Sequence, residues 1–188
     1  MNYTDRKLVF DNDKIYYYDK SFGGNLEVMM DWEDDIMKAK ADYVCKDGGD
    51  ILEIGFGMGI SAGHIQSNSI DSHTIVENHP QVLKKLKAWA AERPNVIIVE
   101  GGWYDVKDSL SKYDGVLYDT WGDVTRDNFT RVLPSLMKPN GRATWWNNFT
   151  DKDDVFFING TTYEAISVNP VSNVYFNSNT YYLPKKQF

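Results

Sequence analysis

Three glycines at alternate positions, Gly55, Gly57 and Gly59, follow directly on the short apolar run Ile51-Leu52-Glu53-Ile54. That order constrains the fold strongly. Small residues let a strand turn sharply into a helix, and they leave bare backbone N–H groups and a helix N-terminus facing a ligand. Downstream, 74–76 reads as a second strand ending at Glu77, and Asn78-His79-Pro80 opens a helix whose Val82, Leu83, Leu86, Trp89 and Ala90 form one apolar stripe. A third strand is predicted over 96–99 and a fourth over 115–118, closed by Asp119. A helix around Phe129, Val132, Leu133 and Leu136 then stops at Lys138-Pro139-Asn140-Gly141, before a fifth strand over 142–146. Alternating helices and wholly apolar strands specify a parallel α/β sheet with right-handed crossovers.

The flanks differ in character. Upstream, a polar segment with Tyr16-Tyr17-Tyr18 and Gly23-Gly24 reads as an arm, followed by a helix in which Met30, Ile36, Met37, Ala41 and Val44 recur at near-helical spacing. The expected division is an N-terminal arm or lid over 1–30 and one domain over 31–188. Three further strands, over 163–168, 174–176 and 181–183, are expected in the tail.

Composition narrows the function. The 188 residues are 42% hydrophobic and 25% charged, which suits one globular domain, and no apolar run approaches bilayer length. No membrane association is expected. The single Cys45 permits no internal disulfide, and the N-terminus lacks the order of a secretory signal, so a cytoplasmic setting is the expectation. A net charge of −7 without a basic run argues against nucleic acid as a partner. His64, His73 and His79 lack metal-ligand spacing, and no metal is expected. The 12 Tyr and 6 Trp include candidates for the wall of a cation pocket.

The glycine turn is not a dinucleotide fingerprint, because the sixth position from Gly55 is Ile60, and it lacks the Gly-Lys-Ser/Thr ending of a phosphate loop. What remains is an acid, Glu53, two residues before the first glycine, with Glu77 ending the next strand. This resembles the S-adenosylmethionine-dependent methyltransferases. Met30-Asp31-Trp32-Glu33 with Ile36-Met37, Gly55-Phe56-Gly57-Met58, Gly102-Trp103 and Leu117-Tyr118-Asp119-Thr120 resemble, more narrowly, the guanidinoacetate N-methyltransferase family and its arginine-methylating relatives. The tail, with Val168-Asn169-Pro170 and Tyr182-Leu183-Pro184, is similar too.

The resemblance implies a Rossmann-like class I methyltransferase: a mostly parallel seven-stranded sheet with helices on both faces, an antiparallel C-terminal strand and a shortened C-terminal region. It implies S-adenosyl-L-methionine as cofactor, with contacts from Met37, Glu53, Gly55, Phe56, Gly57, Met58, Gly59, Glu77, Asn78, Gly102, Trp103 and Asp119. It also places two acids, Glu33 and Asp119, on a guanidino group. The chemistry is sound, since a guanidinium matches carboxylate geometry and, being a poor nucleophile, needs orientation and a proton acceptor. Asp119 is the expected acceptor, because a strand end beside the cofactor brings it close to the reacting nitrogen, and Glu33 is then mainly a clamp.

The chain departs from the family after the fifth strand, where a longer helical insertion is replaced by Asn147-Asn148-Phe149-Thr150 and an acidic run. Asn148, Phe149 and Thr150 occupy roughly the place of the family's carboxylate-binding segment, so the acceptor's carboxylate is left open. The lost helix also leaves one sheet face to be covered by a homodimer or by the N-terminal arm. The expected acceptor is a small guanidino molecule resembling guanidinoacetate, since the sequence shows no added recognition domain. The alternatives are a protein arginine, or a non-catalytic cofactor-binding or oligomeric role. Asp119-Thr120-Trp121-Gly122 does not match the loop of nucleic-acid amino methyltransferases.

Overall fold

The computed structural model describes residues 2–148 and 158–188. The expected N-terminal arm is a small antiparallel sheet. After a 3-10 turn at Tyr3–Asp5 come β1 (Val9–Phe10), β2 (Lys14–Asp19) and β3 (Gly24–Met30), paired in that order. Along β2, Ile15, Tyr17 and Asp19 are buried while Tyr18 points outward, the period-two pattern of a half-covered strand. Leu8, Ile15 and Tyr17 pack on Phe56, Ala62, Ile75, Val82 and Leu86. Polar ties fix this sheet in place: the Leu8 N–H donates to Gln81 Oε1 at 2.8 Å, and His79 Nε2 meets the Arg6 carbonyl at 3.0 Å.

Met30 ends β3 rather than starting a helix. A 3-10 turn, Asp31–Glu33, intervenes before α1 (Asp34–Val44), which buries Ile36, Met37, Lys40, Ala41 and Val44 along one face. The predicted alternation follows: β4 (Asp50–Ile54), α2 (Ile60–Gln66), β5 (Ser72–Glu77), α3 (Pro80–Ala90), β6 (Val96–Glu100), the short α4 (Trp103–Val106), β7 (Tyr113–Tyr118), α5 (Phe129–Leu136) and β8 (Met137–Trp145). His79 caps α3 and Pro80 occupies its first turn, where a missing N–H costs nothing. The tail adds β9 (Thr162–Ser167) and β10 (Thr180–Gln187).

The large sheet runs β6-β5-β4-β7-β8-β10-β9, with β10 antiparallel to both neighbours and β4 to β8 mutually parallel. Two expectations are corrected. β8 begins at Met137, ahead of the expected stop, because a register shift after Tyr113 lets the segment through Asn140 (φ 66°) loop out while pairing continues on both sides. Residues 174–176 form no strand. Asn173 Oδ1 accepts the backbone N–H groups of Tyr175 and Phe176 at 2.9 and 2.7 Å, turning that segment into a hydrogen-bonded loop.

β4 lies at the switch point, with β5 on one side and β7 on the other. At its end Gly55 has φ 94°, and a Cβ there would lie 1.9 Å from the carbonyl oxygen of Asp119. The Asp119 N–H in turn donates to the Ile54 carbonyl at 2.9 Å. The turn and the β7 end therefore approach as bare backbone, which no side chain at Gly55 would permit. Gly55→Ala is expected to destabilise the fold by about 3 kcal/mol, through a left-handed residue and a backbone clash together; a urea unfolding curve within 1 kcal/mol of wild type would contradict this.

Candidate active site

A cavity of about 590 Å³ opens over the carboxyl ends of β4, β5 and β7, within the size range of small-molecule sites. Its floor is Gly55, Phe56 and Gly57, and Glu77 stands at its side. Glu77 Oε1 accepts the N–H groups of Asn78 and His79, both at 2.8 Å, and Oε2 accepts that of Phe56 at 3.0 Å. One carboxylate thus binds the glycine turn to the end of β5. A carboxylate offers about four acceptor sites, so capacity remains for a hydroxyl in the cavity.

Past the third parallel strand, Gly101, Gly102 and Trp103 line the same space. The Trp103 ring is buried against Tyr104, Tyr118 and Phe129, so it forms core as well as wall. Its Nε1 donates to Asp123 Oδ2 at 2.5 Å, as does the Tyr118 hydroxyl at 2.6 Å. Burial pushes the Asp123 carboxyl upward, but hydrogen bonds from Thr125, Tyr118 and Trp103 outweigh it and hold the group below its ordinary range. Asp123, which the sequence reading did not single out, anchors the loop after β7.

At the other end the acids meet. Glu33 and Asp119, carried by the turn before α1 and by the end of β7, line one wall together with Trp121, Trp146 and Tyr175. Glu33 Oε1 accepts the Met30 N–H at 2.8 Å and the Tyr175 hydroxyl at 2.6 Å, so its side chain is fixed from two directions. Tyr175 makes edge contacts with Trp121 and Trp146 at centroid distances of 6.0 and 6.1 Å. Two carboxylates within aromatic rings make a receptor for a planar cation. Burial, and then the charge of Asp119, pushes the Glu33 carboxyl up to about 7 against the opposing hydrogen bonds.

Behind Asp119 lies an unforeseen cation. Lys40, fully buried on α1, places Nζ 2.6 Å from Asp119 Oδ2, and 4.7 and 5.8 Å from the ring centres of Trp146 and Tyr181. A sequence signal existed, since Lys40 sits one turn from both Ile36 and Val44 in the apolar stripe.

The other expected site residues divide. Met37, Asn78 and Asn148 line the cavity, and Asn148 Oδ1 accepts the Trp146 Nε1–H at 2.5 Å. Phe149 and Thr150 lie outside the described residues. Glu53, Met58 and Gly59 stand off the wall. Glu53 is fully buried beneath the turn, accepts a hydrogen bond from the Ser61 hydroxyl and pairs with His73 Nε2 at 3.0 Å, so it braces the turn from below. Met58 packs towards the N-terminal sheet, and Gly59, with φ 79°, is the N-cap of α2.

The family profile described as Guanidinoacetate N-methyltransferase matches residues 20–147. The chain belongs to that family. Among its relatives, Protein arginine N-methyltransferase 2 of Candida glabrata is 38% identical over 161 residues, covering 77% of this chain and 37% of the relative. The protein of the same name from Saccharomyces cerevisiae is 33% identical over 196 residues, covering 86% and 47%. The chain thus spans less than half the length of these curated relatives. In fold it is similar to spermidine synthase from Thermotoga maritima (TM-score 0.65, 11% identity, 96% of this chain and 72% of that one). It is similar also to a precorrin-6y C5,15-methyltransferase from Geobacter metallireducens (TM-score 0.58, 15% identity, 81% and 86%).

The guanidinoacetate N-methyltransferase family uses S-adenosylmethionine, and this cavity fits that cofactor. A glycine floor admits a ligand against backbone, Glu77 offers an acceptor at the switch point, and Gly101 to Trp103 supply a flat wall.

The raised Glu33 carboxyl has a consequence for the fold itself. An acid whose folded pKa exceeds its unfolded value of 4.5 costs nothing below that value and costs progressively more as pH rises through about 7. The full cost is about 3 kcal/mol. Glu33→Gln, which keeps an oxygen for Met30 and Tyr175, is expected to raise the unfolding midpoint of the unliganded protein at pH 8 by roughly 6–12 °C. At pH 4, below the unfolded value, the two proteins should unfold together; equal midpoints at pH 8 would contradict the assignment.

Proposed function

We propose that this chain is an S-adenosylmethionine-dependent N-methyltransferase acting on a guanidino group, with a small guanidinoacetate-like molecule as acceptor. The observation that carries the reading is the convergence of Glu33 and Asp119 on one aromatic wall of the cofactor cavity. The bound cofactor supplies a methyl group on a positively charged sulfur. The chain's own residues do the rest. Glu33 and Asp119 hold the guanidinium by paired hydrogen bonds and aim one nitrogen, and Trp121, Trp146 and Tyr175 keep water from the site.

Residues 1–30 serve as a lid in this reading, supported by Asn2, Tyr3, Tyr17, Val28 and Met29 on the cavity wall. Tyr3 packs on His79 at 4.9 Å, and a Cβ at Gly122 would meet Tyr3 Cβ at 3.2 Å, so the N-terminus spans the opening between two loops. A second reading, methylation of an arginine in a protein, is favoured by the names of the relatives. Both readings require the same clamp, and they differ in what lies beyond it.

Calorimetry with S-adenosylmethionine, followed by transfer assays over guanidinoacetate, free arginine, simple guanidines and arginine-containing peptides, separates them. We expect cofactor binding with turnover on a small guanidine. Turnover on peptides alone would transfer the assignment to the second reading, and cofactor binding without turnover on any acceptor would refute both. Asp119→Asn is expected to raise KM for the acceptor more than tenfold, as loss of a charged bidentate partner requires, with cofactor affinity within a few-fold of wild type.

A further inference from the structure

Resting on the guanidino reading above, we propose that Lys40 is a positioning residue that commits Asp119 to a fixed ion pair and thereby makes Glu33 the carboxylate that takes the acceptor's proton. The sequence-based expectation gave that task to Asp119. Geometry argues otherwise. Lys40 is fully buried, and among the described residues its ammonium has one carboxylate partner, Asp119 Oδ2 at 2.6 Å. Its remaining surroundings include the faces of Trp146 and Tyr181. A proton delivered to Asp119 would leave that ammonium buried opposite a neutral acid, and an uncompensated buried charge is strongly unfavourable. No such penalty attaches to Glu33. Its protonation relieves the repulsion from Asp119 and removes a charge that burial already disfavours.

The charges balance along this route. The acceptor nitrogen gains a bond to the methyl carbon as the sulfur–carbon bond breaks, the sulfonium becomes a neutral thioether, and the N–H proton passes to Glu33. Guanidinium, sulfonium and carboxylate begin with a net charge of one, and the methylguanidinium product carries that charge at the end. Lys40 and Asp119 cancel throughout, so the clamp presents one net negative charge to one cation.

Besides Asp119 and Lys40, the titratable group in contact with Glu33 is Tyr175, from the loop before β10; Glu27 of β3 acts on that tyrosine and accepts the neighbouring Val174 N–H at 3.3 Å. Only Lys40 is a cation. Removing it should make the Glu33 carboxyl harder to ionise.

The test combines Lys40→Met, which leaves Asp119 in contact with solvent, with Glu33→Gln. Thermal unfolding against pH, read as the difference between each protein and its Glu33→Gln partner, reports the Glu33 midpoint without any acceptor. It should lie near pH 7 in wild type and move upward in Lys40→Met. In turnover, Glu33→Gln should lower kcat about a thousandfold, and the double variant should recover part of that loss, because Asp119 is then free to accept. Lys40→Gln replaces Lys40→Met if the latter does not fold. An unmoved midpoint, or wild-type kcat in Glu33→Gln, overturns the proposal. Absence of turnover on every guanidine would fail the functional reading alone, since the unfolding titration still decides the coupling of Lys40 to Glu33.

Discussion

Everything functional in this fold depends on one backbone approach, where the turn after β4 meets the end of β7. The Asp119 N–H donates to the Ile54 carbonyl, and Gly55 leaves the space that the Asp119 carbonyl occupies. Parallel strands diverge at a switch point, and the crevice they leave is where open α/β sheets bind ligands. Here the same contact that closes the sheet puts the glycine turn and the Asp119 carboxylate on one edge of the cavity. Glu77 repeats the device on the other side, spending three backbone hydrogen bonds to lock the turn to β5. The glycine turn is thus held by hydrogen bonds on both sides, and Tyr17, Val28 and Met29 of the separate small sheet line the cavity beside it.

Legibility in the sequence followed the strength of local signals. The runs at the centres of β4, β5 and β7 are mostly apolar because both faces of the sheet are covered, and even their polar members Glu53, His73 and Thr74 are buried. The N-terminal sheet was not legible for the opposite reason. Tyr16, Tyr17 and Tyr18 are alike in composition, and only Tyr17 is buried, so the period-two pattern is hidden by residues that tolerate either face. Tyr175 has the composition of a strand residue, yet the asparagine two positions earlier captures its N–H and turns the backbone. That turn brings the tyrosine hydroxyl onto Glu33.

The site shows the same division. Glu33, Asp119, Gly55 and Glu77 stand where motif spacing expected them, on the cavity wall. Glu53 shares that spacing but faces beneath the turn, where Ser61 and His73 engage it. A motif records which residues accompany a function, and it does not separate those that touch a ligand from those that hold the scaffold. Lys40 is hidden in the sequence because an apolar stripe is defined by its hydrophobic members, and the lysine lies among them on the same buried face. A lysine inside a buried stripe is a stronger statement than any leucine there, since its charge requires a partner.

That requirement explains why the ion pair bears on chemistry more than on stability. Burying an ammonium and a carboxylate costs several kcal/mol per ion before their attraction returns it, and well-packed apolar residues of similar size often serve a fold equally well. α1 supplies such residues on either side of Lys40, in Ile36, Met37, Ala41 and Val44. The lysine therefore contributes something that packing alone does not. Without it, two close acids in a largely buried aromatic site would repel each other, and one would remain protonated over a wide range, as paired carboxylates do when no cation lies between them. With it, Asp119 has a buried cation 2.6 Å away, while Glu33 is pushed up to about 7, where a carboxylate is ionised enough to hold a cation and basic enough to accept its proton. The division of labour between two chemically similar side chains thus comes from a third residue, one turn of helix beyond the motif that names the site.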